Sequence, residues 1–101
     1  MRAPSLSIPS WWLVAGLIFL GACESAPPVQ EMSDARQAIE VAREAGAESH
    51  ARIQLDQALK FLAEAERELT EAEYTRARRS AEQAKAKALE ARALSEASQP
   101  R

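Results

Sequence analysis

From Ala47 to Gln99 the chain contains neither glycine nor proline. Those two residues are the strongest local signals for ending a helix or turning a chain. Alanine, the best helix former, recurs throughout the same stretch. Helix is therefore the regular structure this stretch supports, and the open question is how many helices it makes. The expected class is all-α: a small antiparallel helical hairpin or a three-helix arrangement, alanine-rich and coiled-coil-like.

Apolar spacing divides the chain. Ala35, Ala38, Ile39, Ala42 and Ala45 fall at offsets of three, four, seven and ten, one face of an amphipathic helix. Ser33 is a good N-cap residue, and Asp34 follows near the positive end of the helix dipole. The first helix is expected to start there. Gly46 ends it, because glycine takes the left-handed conformation cheaply. A second helix starts between Ala47 and Ala51 and runs to Thr70. Its stripe, Leu55, Ala58, Leu59, Leu62, Ala65 and Leu69, is the best in the chain, with Ile53 and Phe61 beside it.

One unbroken helix beyond Thr70 is an alternative. Three features favour a turn near residues 70–75. The seven-residue register through Leu55, Leu62 and Leu69 would next meet Arg76. A new register begins at Ala77 and continues through Ala81, Ala84, Ala88 and Ala91. Thr70 to Glu73 also has the spacing of a capping box, and the sign of the charge reverses. A third helix then runs from Glu73 to Ala97 and presents almost pure alanine, with Leu89 and Leu94 at its edge.

The N-terminus has the three parts of an export signal. Arg2 supplies positive charge, Trp11 to Leu20 is an uncharged apolar run, and Gly21 and Ala22 are small. The run is about half of the ~20 residues that span a bilayer as a helix. Leu20-Gly21-Ala22-Cys23 resembles the lipobox of bacterial lipoproteins, an aliphatic residue and two small ones before cysteine. That resemblance makes Leu20, Gly21 and Ala22 the signal-peptidase recognition residues and Cys23 the lipidated N-terminus. Stable anchoring takes two signals, which two or three acyl chains on Cys23 would satisfy. The organisation expected is a signal peptide over 1–22, a lipidated N-terminus and tether over 23–32, a helical domain over 33–97 and a tail over 98–101. Pro27-Pro28 keeps the tether extended. Glu24 follows the cysteine. An Asp there resembles the inner-membrane retention signal of enteric bacteria, so Glu24 weakly favours the outer membrane, with the protein facing the periplasm.

Cleavage before Cys23 leaves one small domain, of a size whose core rarely supplies more than ~3–5 kcal/mol. A lone cysteine forms no internal disulfide. The mildly acidic balance, a formal net charge of −2, suggests no nucleic-acid partner. Charge is segregated: Glu24 to Glu73 holds twelve acidic and five basic residues, Tyr74 to Arg101 three acidic and seven basic. Two helices that attract when folded back would account for this. A basic surface for an anionic partner, such as a cell-wall polymer or lipid head groups, would also account for it.

No pattern points to catalysis, a cofactor or a metal. His50 lies near Glu48 without further ligands at a useful spacing. The glutamates read as a solvated face paired at three or four residues, as in Glu64–Arg67 and Arg78–Glu82. Tyr74 is expected to pack over a helix–helix turn with its hydroxyl wet. Enzymatic activity is not expected.

Gly46-Ala47, and Tyr74-Thr75-Arg76-Ala77 at the start of the third helix, are similar to a family of alanine-rich bacterial lipoproteins catalogued as a domain of unknown function. Ala51-Arg52 departs from it where a proline is expected. Some relatives add an OmpA-like peptidoglycan-binding domain, which is not expected here, so the resemblance does not carry wall binding over. The resemblance implies a helical envelope lipoprotein and no known activity. The leading expectation is a structural or protein-interaction role, with the helices packing as a homo-oligomer or on an envelope protein partner. A non-covalent membrane–peptidoglycan tether is an alternative. The small murein lipoprotein has a similar anchor, but it is attached through a C-terminal lysine, where this chain ends in Arg101. An accessory subunit of an envelope enzyme or transporter is another.

Overall fold

A computed structural model describes residues 26–100. It is all-α, with three long helices and one single turn: α1 Val29–Glu44, α2 Ala47–His50, α3 Arg52–Thr70 and α4 Tyr74–Ser98.

Helix α1 starts at Val29, not at Ser33, so the expected N-cap is corrected. Pro28 stands at the N-cap, and its carbonyl accepts the Met32 N–H at 3.0 Å. Burial explains the earlier start. The Ala35 stripe continues back to Met32, and both Pro28 and Met32 are buried. Val29 to Met32, expected as tether, thus form the first turn of the helix. Ser33 lies inside the helix on its exposed face.

Gly46 ends α1 with φ 95°, and its N–H donates to the Arg43 carbonyl at 2.9 Å. A Cβ there would stand 3.2 Å from the His50 ring. The second helix is split. After the single turn of α2, the buried Ala51 takes φ −149° and ψ 47°, closing α2 and opening α3.

Helices α3 and α4 are separated by a turn at residues 71–73. The Glu73 N–H reaches the Glu68 carbonyl at 2.8 Å, and the Ala72 N–H reaches the Leu69 carbonyl at 3.1 Å. This pair of bonds is a Schellman motif, whose left-handed residue is usually glycine. Here it is Ala72, with φ 61°. The expected capping box does not form. The Thr70 hydroxyl donates back to the Glu66 carbonyl at 2.9 Å, and α4 has no side-chain cap at Glu73.

Helix α4 is the spine. It packs most extensively on α3 and next on α1, while α1 and α3 meet less. The α3–α4 pair is antiparallel: Leu55 and Ala58 share a cluster with Ala88 and Ala91, and Glu68 bonds Ser80 near the turn. The α1–α4 pair is parallel, with Glu31 beside Arg78, Asp34 beside Lys85 and the Ala45 carbonyl beside Gln99. Nearly every buried residue of α4 is alanine: Ala77, Ala81, Ala84, Ala88 and Ala91, interrupted by Ser80 and Ser95. Methyl-sized side chains let helix axes approach the short end of the usual 8–10 Å. Each contributes little transfer energy, about 0.8 kcal/mol per buried carbon. The larger contributions come from Met32, Ile39 and Leu55, with Leu59 and Leu62 partly buried against the seam.

Candidate interaction surface

Parallel packing of α1 on α4 leaves an open groove of about 210 Å³ lined only by those two helices. Ala38, Val41 and Leu89 form its apolar part. Asp34, Gln37, Lys85 and Arg92 supply the polar edge. The Lys85 ammonium faces the Asp34 carboxylate across it at 3.8 Å. Leu89 keeps 45% of its surface exposed, and Val41 is half-buried. The groove is smaller and more open than the enclosed pockets of ~300–1,000 Å³ that hold small molecules.

The N-terminal segment is fastened to the spine at a second place. The Arg78 guanidinium donates to Glu31 Oε1 at 3.1 Å and to the Ala26 carbonyl at 3.1 Å. Both side chains of the ion pair are about 30% exposed (29% and 31%), so water screens the pair less than a surface one. At the opposite end, Gln99 Nε2 donates to the Ala45 carbonyl at 2.7 Å and ties the end of α4 to the end of α1.

The charge reversal along the sequence acts inside the fold. Arg78–Glu31 and Lys85–Asp34 join basic α4 to acidic α1, and Arg36–Glu66 joins α1 to α3 at 3.6 Å. Other α4 cations pair locally: Arg76 with Glu73, Lys87 with Glu90 and Arg92 with Glu96. The expected pairs Glu64–Arg67 and Arg78–Glu82 give way to Arg67–Glu71 and Arg78–Glu31. Arg67 lies in the last turn of α3 and reaches forward to Glu71, which caps it; Arg78 faces α1.

Two polar contacts were not legible from spacing. Glu68 is buried and accepts a 2.5 Å hydrogen bond from the Ser80 hydroxyl across the α3–α4 seam. Ser95 is fully buried and bonds the Ala91 carbonyl one turn back at 2.8 Å. Ser80 precedes Ala81 on the buried side of α4, so a broader stripe than one alanine register would have included it.

His50 is exposed in α2 and Tyr74 is half-buried at the start of α4. Leu20, Gly21, Ala22 and Cys23 lie outside the described residues. Among the described residues, no three His, Cys, Asp or Glu side chains gather as metal ligands, and no helix is long and apolar enough to cross a membrane.

These features define an all-α domain whose three long helices are sealed by alanine seams around a central α4. Residues 30–101 match the family described as a domain of unknown function, DUF4398, and the chain belongs to that family. No match was found among curated proteins or among solved structures.

Proposed function

We propose that this protein is a lipid-anchored helical protein of the bacterial cell envelope, held to the outer membrane by acyl chains on Cys23 and working through protein contact. The observation that carries the interaction role is the α1–α4 groove. An open groove with an apolar floor and charged edges suits a helix or extended segment of another protein. The anchor rests on the apolar run before Leu20-Gly21-Ala22-Cys23. The pairing of α4 cations with acidic neighbours lends less support to a peptidoglycan tether, because few of its basic groups face solvent without an acidic partner.

Photo-crosslinking tests the interaction role. A photoreactive residue at Leu89 should give discrete adducts in native membranes, and one at Ile53, exposed on α3, should not. An adduct of twice the protomer mass identifies a homo-oligomer; another mass identifies an envelope partner, including an enzyme or transporter that this chain would serve. Equal labelling at both positions, or none, refutes the groove as the contact surface. The intact mass of the membrane-extracted protein, set against a Cys23→Ala variant, tests the anchor independently.

A further inference from the structure

We propose that the α3–α4 turn is the end of this domain that faces the bilayer, and that Arg78 sets this orientation. The inference rests on the lipid-anchored reading above and adds to it a direction. Cys23 lies three residues before Ala26. At ~3.6 Å per residue for a fully extended chain, its Cα stays within about 11 Å of that of Ala26. Ala26 is not free to wander, because Arg78 holds its carbonyl at 3.1 Å and Glu31 at 3.1 Å. Pro28 and Met32 are buried just beyond, so the segment is fastened by packing as well as by charge.

Arg78 stands one turn into α4, next to the turn that joins α3 to α4. The start of α1, the end of α3 and the start of α4 therefore share one end of the bundle. Gly46, α2 and the Gln99–Ala45 contact occupy the other. The two ends are separated by the length of α4, which spans 25 residues, or about 37 Å at 1.5 Å per residue. A leash of about 11 Å keeps the turn end beside the lipid in every pose, whereas the α2 end is free to stand as far away as the bundle is long. Acyl chains on Cys23 would thus place the turn against the head groups and direct α2 away from the membrane. The α1–α4 groove would then run outward from the bilayer, open to a partner approaching from the side.

Energy transfer to acceptors on the membrane surface tests this. The full lipidated protein is purified, and a donor dye is attached through Thr75→Cys in one sample and Ser49→Cys in another. Both positions are exposed, and lipidation of Cys23 leaves the introduced cysteine as the reactive thiol. The protein is placed in phosphatidylcholine vesicles that carry acceptor on the head groups. Transfer should be several-fold greater from position 75 than from position 49. Arg78→Ala and the milder Glu31→Gln should narrow that difference, with helix content unchanged by circular dichroism. Equal transfer from the two positions, or the reverse order, would overturn the orientation. A difference that survives both variants would overturn the role of Arg78. Failure of the protein to carry lipid, read from its intact mass, would instead sink the anchored reading and this inference with it.

Discussion

Replacing Ala72 with glycine should stabilise the protein, although the substitution removes the residue that helices favour most. Ala72 sits at φ 61° in the Schellman turn. The left-handed region costs an L-residue about 1–2 kcal/mol, because its Cβ crowds the following carbonyl oxygen. Glycine escapes that cost but loses more freedom on folding, about 0.4–1 kcal/mol. The difference leaves a gain of about 0.5–1 kcal/mol. For a domain of this size, 1 kcal/mol moves Tm by roughly 4–8 °C, so a rise of about 2–8 °C is expected. Ala86→Gly is the matched control. Ala86 is exposed in the middle of α4, where glycine costs about 1 kcal/mol relative to alanine. The two variants should therefore move in opposite directions and differ by roughly 1.5–2 kcal/mol. Thermal and urea unfolding followed by far-UV circular dichroism measure both. If Ala72→Gly destabilised the protein as much as Ala86→Gly does, residue 72 would be helical. The turn would then be absent, and α3 and α4 would be one continuous helix.

Other perturbations probe the seams. Met32→Ala removes one of the few large buried side chains and should cost about 2–5 kcal/mol in urea unfolding, enough to leave much of the chain unfolded if the core is as thin as its alanines imply. Ala84→Leu places extra methylenes where α4 is fully buried; a loss of about 1–3 kcal/mol or more is expected, whereas Ala86→Leu on the exposed face should be nearly neutral. Ser80→Ala leaves the buried Glu68 carboxyl without its hydroxyl donor and should cost about 1–3 kcal/mol, while Ser80→Ala with Glu68→Leu should recover most of that loss; a double variant as unstable as the single one would mean the bond is not what matters.

Much of the helical content was readable because alanine repeats at helical spacing leave little alternative. The face of α1 followed from Ala35, Ala38, Ile39 and Ala42, all buried. Gly46 marked the end of α1 because it is the one glycine in the region. The α3–α4 turn was harder to read for a specific reason. A Schellman turn normally announces itself by glycine at the left-handed position, and here alanine occupies it. What marks the turn in the sequence is indirect, a change of register and a reversal of charge, and the capping-box spacing at Thr70 to Glu73 is coincidental. Helix α1 starts one turn before the local N-cap signal at Ser33 because the burial of Met32, a tertiary effect, outweighs that signal. The α1–α4 groove was hidden for a related reason. Its existence depends on α1 packing parallel to α4, and apolar spacing alone specifies neither that pairing nor which helix becomes the spine.

That choice of spine follows from the size of the buried residues. A helix wedged between two others must offer seams on two sides without pushing its neighbours apart. Helix α4 does this with alanine and serine at its buried positions, and it is only weakly amphipathic as a result. The larger buried residues lie on its partners, Met32 and Ile39 on α1 and Leu55 on α3, where each reaches inward from one side. Close approach brings polar groups together as well as methyls. Glu68 meets Ser80 across one seam, and Glu31 meets Arg78 across the other. Both contacts lie at the α3–α4 turn end, where the N-terminal segment also joins the bundle. The opposite end is closed by the single turn of α2 and by Gln99. The domain is thus reinforced where an anchor on Cys23 would pull on it. A force applied through that segment would meet Arg78, Pro28 and Met32 before it reached the alanine seams.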